Sequence, residues 1–407
     1  MKIKMIFLFM LFAITVGCTF SQTHEGQLKK MEKEKLGWQK KINTIEKTID
    51  SLKLLRDFDD IKRIALPAYN SDKEIVEHSA MVLLYNEDHE QADWVAHKIS
   101  VDITSGAVGR TNDFRTDPLV STKTAEKKDY WHSGYDRGHL APSADFRWSR
   151  KALSESYFYS NMSPQRPKFN REIWADLENA LRKYVVSKQE PLYVVTGPYY
   201  SESPKFIGSN KVSVPPYYYK TALDYTGDTI SAIAFLMPNE ACEYPVLYYA
   251  MSVDSLESIT GRDFYANIPD SIEQQFESEL NMDYWAFISG KRTYIPIHRS
   301  KLPRNTINTV QARSYYDKRA TVCGTVSSVH KSAKGHVFLN FDGEFPDQLF
   351  WCTIWKSEMH NFSYDPEEYL LNKKVCVRGV IKKKYGKPSM GLNNEKDIQT
   401  FEYLISQ

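Results

Sequence analysis

The sequence is poor in cysteine, in net charge and in repetition, and each shortage excludes something. Its five cysteines are Cys18, Cys242, Cys323, Cys352 and Cys376. They form no CxxC and no close Cys/His pair, which argues against a zinc site built from clustered thiolates and imidazoles. The net charge is only +2, so any contact with a polyanion is local rather than a field of the whole molecule. Internal repeats and low-complexity tracts are absent, which removes solenoid and linker architectures. What is present is ordinary: 42% hydrophobic and 26% charged residues describe a folded soluble protein. A length of 407 residues accommodates two globular units.

The N-terminus carries the first specific pattern. Lys2 and Lys4 precede the apolar run Met5 to Val16, followed by small and polar residues. That is the layout of a secretory signal peptide over residues 1–21, too short for a comfortable membrane span. Two cleavage readings stay open. Thr15-Val16-Gly17-Cys18 fits a bacterial lipoprotein signal, with Cys18 lipidated as the first mature residue; the small residues around Thr19 and Ser21 fit cleavage before Gln22. Either predicts export, to a periplasm, an outer-membrane-anchored form or the medium. Cys323, Cys352 and Cys376 lie on apolar, strand-like runs, where cysteine is usually a small buried hydrophobe. A disulfide among them is compatible with the pattern, but its pairing is not legible.

A charged stretch, Gln27 to Arg63, follows. Met31, Trp38, Ile42, Ile45, Ile49 and Leu52 alternate at spacings of three and four once Lys35 takes one position. This heptad seam is expected to form an amphipathic helix over residues 22–63. It serves as a coiled-coil oligomeriser through residues 27–63 or as a single surface helix, ended by Pro67. From Ala80 to about Ile297 strands and helices mix. Strands are expected at Met81–Tyr85, Trp94–Ile99, Leu192–Thr196 and Ile230–Met237, being short, β-branched or aromatic, and bounded by turn residues. Asp270 and Glu273 read as a capping box opening a helix with Ile272, Phe276 and Leu280. The lack of strict alternation predicts a mixed α+β domain over residues 64–303.

Past Lys301-Leu302-Pro303 the pattern turns to strands. Five are expected, at Ala320–Val329, His336–Phe341, Gln348–Trp355, Lys374–Lys383 and Asp397–Tyr403, with a helix-capable stretch from Lys356 to Tyr369 before the fourth. That order predicts a small all-β OB-like barrel over residues 304–407. Phe338, Phe341, Phe350, Trp351 and Trp355, with Lys382-Lys383-Lys384, either stack and attract a single strand or fill a barrel and solvate its edge.

Residues suited to chemistry concentrate between Gly134 and Glu178. The segment holds Asp136-Arg137-Gly138-His139, then Asn161-Met162-Ser163-Pro164-Gln165, then Asn170, Trp174 and Glu178. Hydrolysis of a phosphodiester needs a base near neutrality and positive charge at the scissile oxygens. Histidine supplies the first and a divalent ion can supply the second. On one helix, Asn170 and Glu178 fall on one face, two turns apart. Asn170 offers a hard oxygen suited to Mg²⁺ that keeps its waters, and Glu178 can hold those waters. Arg137 suits bidentate contact with phosphate. Each has a bland alternative: Asp136-Arg137 a surface ion pair, His139 a core histidine, Asn170 a helix cap.

The ordered set resembles the DNA/RNA non-specific endonuclease family. Supporting matches are Trp94-Val95-Ala96-His97, Asp117-Pro118, Thr196-Gly197-Pro198, Pro216 with Tyr219-Lys220, and Ser252-Val253-Asp254. The resemblance runs from about Ala80 to Pro269. It implies a ββα-metal site, with His139 as general base, Asn170 as the direct protein ligand of Mg²⁺ (Mn²⁺ substituting), and Glu178 contacting metal-bound water. It also implies 5′-phosphate products from DNA and RNA, without a small-molecule cofactor. Asp136 and Asn161 are expected to support the site. The family's upstream phosphate-binding arginine falls on Arg110 or, with a shift, Arg115; Arg110 is preferred. Competing readings are a non-catalytic nucleic-acid-binding lipoprotein and a metal-dependent phosphodiesterase on another substrate.

Overall fold

The computed structural model describes residues 2–70, 73–105, 108–226, 230–242, 244–289, 296–297 and 301–401. The side chains of residues 2–23, 286 and 289 are outside the described set, and with them the lipidation candidate Cys18. The chain divides into two compact units, Met1–Asp57 and Phe58–Gln407. The first unit is one helix, part of the continuous stretch Lys2–Asp60. Along it Met31, Trp38, Ile42, Ile45, Ile49 and Leu52 are all exposed. No helix among the described residues is long and apolar enough to cross a membrane.

The second unit contains two large sheets. The first is built from β1 (Glu74–Glu77), β2 (Met81–Asn86), β3 (Gln91–Ile99), β6 (Leu192–Tyr199), β9 (Tyr217–Asp224), β10 (Ser231–Pro238) and β11 (Ala250–Met251), adjacent in that order. All its pairings are antiparallel. Between β3 and β6 the chain makes a two-stranded ribbon of β4 (Asp136–His139) and β5 (Met162–Gln165). The helices Pro167–Arg171 and Ile173–Lys188 follow. A second ribbon pairs β7 (Lys205–Ile207) with β8 (Val212–Val214). The mixed α+β class expected from the sequence holds.

One face of the large sheet buries Trp94, Ala96, Val195, Tyr219, Leu223 and Ala234 against Val253, Leu256, Phe264 and Phe276. The last four come from two helices, Val253–Thr260 and Asp270–Glu277, and the loop between them. The expected capping box at Asp270 is not formed. Pro269 holds the N-cap, Asp270 lies inside the first turn, and no side chain caps the helix. The helix also stops at Glu277, short of Leu280.

The second sheet comprises β12 (Ile307–Asn308), β13 (Arg319–Lys331), β14 (Val337–Phe341), β15 (Phe350–Ile354), β16 (Lys374–Val380), β17 (Lys382–Lys384), β18 (Lys387–Leu392) and β19 (Ile398–Thr400). Its order is β17-β18-β15-β14-β13-β16-β19, with β12 beside β13, and among the described residues the path stays open at β17 and β19. The expected strand Lys374–Lys383 splits at Ile381, which turns inward and donates its N–H to Lys318 O at 3.0 Å. Strand β18 escapes a sequence reading because Pro388 and Gly391 interrupt it, yet it pairs in parallel with β15. Phe341 and Phe350 are buried in the core of this sheet and are not available for stacking. A disulfide joins Cys323 to Cys376 across β13 and β16. Cys352 is buried as a thiol.

Candidate active site

The β4–β5 ribbon positions the histidine. His139 stands opposite Met162, and the chain just beyond it is pinned by Asn161. Ala141 N–H donates to Asn161 Oδ1 at 2.9 Å, and Asn161 Nδ2 returns a bond to Ala141 O at 2.9 Å and another to Ser156 O at 2.8 Å. Leu140 N–H donates to Asn161 O at 3.0 Å. Buried Asn161 thus satisfies backbone groups that would otherwise be stranded. Gly138 answers to a different constraint. A Cβ there would sit 2.1 Å from Gln165 Cδ, so any side chain at this position would force the buried Gln165 side chain to move.

The His139 ring lies edge-on to Tyr157 at 5.0 Å and tilted against Phe114 at 5.7 Å. Among the described residues its Nε2 has no hydrogen-bond partner. Burial, then the charges of Arg110 and Arg137, push its pKa down to about 3. The imidazole is therefore neutral, with a lone pair available to take a proton. Arg137 stacks over Phe114 at 3.9 Å, and Arg110 Nε donates to Tyr157 Oη at 3.2 Å.

Asn170 and Glu178 do not share one helix as expected. Glu172, at φ −111° and ψ −100°, breaks the run, ending Pro167–Arg171 and starting Ile173–Lys188. Both residues still face one cleft of about 410 Å³, lined also by Arg110, Arg137, His139 and Arg147. A neighbouring cleft of about 610 Å³ shares Arg110, Arg137, Asn170 and Arg171 with it and extends past Trp131 and Tyr135. Arg115 lines neither; it bonds Asp113 and Ser154 and lies over Phe158.

The orientation of Asn170 follows from charge. Its Nδ2 donates to Asp136 Oδ2 at 2.9 Å. A carboxylate only accepts, so the amide end facing Asp136 is the nitrogen, and Oδ1 turns away from it. Asp136 is fixed in turn by Arg171, whose Nε and Nη2 reach its two oxygens at 2.8 and 2.6 Å. This clamp was missed in the sequence; its only signal is that Arg171 adjoins Asn170. A hard, oriented amide oxygen and a carboxylate on one cleft fit a divalent ion that retains waters.

Beneath Glu178 lies a charged network. Lys220 Nζ bonds Thr196 Oγ1 at 2.6 Å and sits 4.8 Å over the Trp174 ring. Arg182 Nη1 bonds Asp145 Oδ1 at 2.7 Å, and Asp145 Oδ2 meets His97 Nε2 at 3.0 Å. Burial pushes the Glu178 carboxyl up and the Lys220 ammonium down, each partly countered by the other. Arg182 follows Glu178 by four helical positions, a spacing from which it could have been found. The network accounts for His97, Thr196 and Lys220, which the motif matches had singled out without a role.

Known proteins carry the same segments. The family model described as DNA/RNA non-specific endonuclease matches residues 59–271, just over half of the chain. The mitochondrial endonuclease G of Homo sapiens is 32% identical over 210 residues, covering 48% of this chain and 70% of that protein. A nuclease of Nostoc sp. is 33% identical over 226 residues, covering 52% of this chain and 80% of its own. Among solved structures, a complex of EndoG with EndoGI matches with 27% identity and a TM-score of 0.46 over 52% of this chain and 92% of that one.

Proposed function

The chain belongs to the DNA/RNA non-specific endonuclease family and is a nuclease; from that premise we propose an exported, Mg²⁺-dependent enzyme that cuts DNA and RNA to 5′-phosphate products. The observation that carries this reading is the convergence of Arg110, Arg137, His139, Asn170 and Glu178 on one cleft.

In the proposed reaction, the scissile phosphate seats between Arg110 and Arg137, whose guanidinium groups bind its non-bridging oxygens. His139 takes a proton from the attacking water as the water oxygen bonds to phosphorus, and the P–O3′ bond breaks, the leaving oxygen taking a proton from solvent to give a 3′-hydroxyl beside a 5′-phosphate. The phosphate also cancels the two arginine charges that depress the imidazole, so substrate binding strengthens the base it needs. Asn170 Oδ1 would hold the metal and Glu178 would orient water beside it. When bound, a divalent ion supplies positive charge next to the phosphorane and leaving oxygens. Asp136, held by Arg171, keeps the Asn170 oxygen pointed away from itself.

Export is supported by the basic and apolar N-terminus and by the Cys323–Cys376 disulfide, which suits an oxidising compartment. Plasmid nicking with and without EDTA tests the chemistry. Cleavage abolished by EDTA and restored by Mg²⁺ supports the proposal. Retention of the plasmid without cleavage would favour a binding protein, and EDTA-resistant cleavage would remove the metal.

A further inference from the structure

On the helices that cover the apolar face of the large sheet, the structure assigns a second cation site to Asp254, Glu257 and Glu277, of the calcium class and separate from the cleft around His139. One carboxylate oxygen from each of the three comes within 4.8 Å of the other two. Three carboxylate oxygens so gathered suit a hard divalent ion, and Ca²⁺, which takes carboxylates in flexible geometry, suits an all-carboxylate set better than Mg²⁺, which demands a near-ideal octahedron and keeps its waters. The second observation is Glu277 itself. It is 6% exposed, and its Oε1 is buried with no hydrogen-bond partner among the described residues. A carboxylate so placed costs heavily unless paired or bound to a metal. Glu273 Oε1 is likewise buried without a partner.

The surroundings make the carboxylates repel. Burial, then Glu257, Glu273, Asp254 and Asp263, push the Glu277 pKa up to about 9. Glu273 rises to about 7 through burial, then Asp263, Glu257, Asp270 and Asp254. Only carboxylates appear among these neighbours. Glu257 has one oxygen committed, accepting from Phe264 N–H at 2.7 Å. Asp254 is exposed, leaving room for waters to complete the coordination.

The two helices pack Val253, Leu256 and Phe276 onto the face of the sheet that holds Tyr219. Lys220, next along β9, points to the other face, toward Thr196 and the catalytic cleft. A cation here therefore ties the helices Val253–Thr260 and Asp270–Glu277 together without touching phosphate. Extracellular calcium sites of this kind bind at about 10⁻⁴–10⁻³ M, which matches a protein outside the cell.

The test is thermal unfolding of the EDTA-stripped full chain, wild type and Glu277→Gln, titrated with CaCl₂. Wild type should gain roughly 5 °C at saturating Ca²⁺. Glu277→Gln, which has no carboxylate to offer the ion, should melt near the metal-free wild type and gain almost nothing. An equal gain in both proteins, or no gain in wild type up to ~10 mM, overturns the site. Should Glu277→Gln fail to fold, exposed Asp254→Asn serves instead, and the same two outcomes decide.

Discussion

Along β9, Tyr219 and Lys220 are neighbours in sequence that serve opposite faces of one sheet. Tyr219 joins Trp94, Leu223 and Phe264 in an apolar core. Lys220 enters a charged layer with Thr196, Trp174 and Glu178, next to Asp145, Arg182 and His97. The apolar face stabilises by removing hydrocarbon from water, at roughly 25 cal/mol per Å². The charged face gives up that gain, because buried ion pairs roughly break even against apolar packing. It gains instead a hydrogen-bonded charged layer beside Glu178. Mutations on the two faces should therefore divide cleanly between activity and stability.

The largest contrast pairs His139→Ala with Leu223→Ala. Removing the base should cost about 10²–10⁴-fold or more in kcat, with the melting temperature near that of wild type. Leu223→Ala should cost about 2–5 kcal/mol of stability while kcat per folded molecule stays unchanged. Circular dichroism melts and single-substrate kinetics on both variants decide. A His139→Ala enzyme as active as wild type would end the assignment of the base.

Next in size is the metal pair. Asn170→Ala should lose activity at low Mg²⁺ and recover part of it at high Mg²⁺, because a lost ligand weakens binding before chemistry. Glu178→Ala should fall by about 10–100-fold, the usual cost of disturbing a group that holds metal-bound water. Arg171→Ala should resemble a mild Asn170→Ala, since Asp136 would lose its clamp. A Mg²⁺ dependence identical to wild type in Asn170→Ala would mean that another group holds the ion.

The pH profile gives a smaller effect with a fixed sign. In the proposed reaction His139 works as the neutral imidazole, and burial and the two arginines drive its pKa down to about 3. A lowered pKa keeps the base form populated further into acid, so kcat/KM should stay level below the ordinary histidine range of about 6.5. Arg110→Gln removes one of the charges responsible and should move the acid limb upward by about half a unit or more. A limb that stays fixed, whatever the loss in affinity, would separate Arg110 from the electrostatics of His139.

The readable and unreadable parts of this site differ in range. Asp136, Arg137, His139, Asn161, Asn170 and Glu178 lie within one stretch of chain, and the ribbon and helices that carry them are local structures. Chemistry set by short spacings survives as a motif. The Arg171–Asp136 clamp lies inside the same stretch but depends on how the β4–β5 ribbon meets the helix after it, and the Asp145–His97 contact reaches outside the stretch; spacing encodes neither. The break at Glu172 was hidden because helix propensity does not foretell a single non-helical residue. The same limit applies to the second sheet. Alternating aromatics announce strands but not facing, so Phe341 and Phe350 looked eligible for stacking although both fill the core. Strand β18, with Pro388 and Gly391, is held by its parallel pairing to β15 rather than by propensity.

The smallest expected effect belongs to that second sheet, whose core is apolar and whose polar interest lies on its surface. Trp355 is 41% exposed and Tyr385 95%. Lys384 Nζ lies 5.5 Å from the Trp355 ring and 5.9 Å from that of Trp351. Exposed rings beside lysines are the elements that hold single-stranded nucleic acid by stacking and charge. Every residue proposed for the chemistry lies between Arg110 and Glu178, so this surface should add affinity without entering the reaction. Trp355→Ala with Lys384→Ala should leave cleavage of a short duplex unchanged. Affinity for long single-stranded DNA should fall about five-fold, the low end of one stacking contribution. The loss should shrink as salt rises, because the lysine's share comes from displaced counterions. Binding of fluorescent single-stranded DNA at two salt concentrations, beside short-duplex kinetics, measures both. Unchanged affinity at low salt would assign these aromatics to the sheet's own packing. Loss of short-duplex cleavage in a folded variant would mean that the second sheet helps to build the cleft.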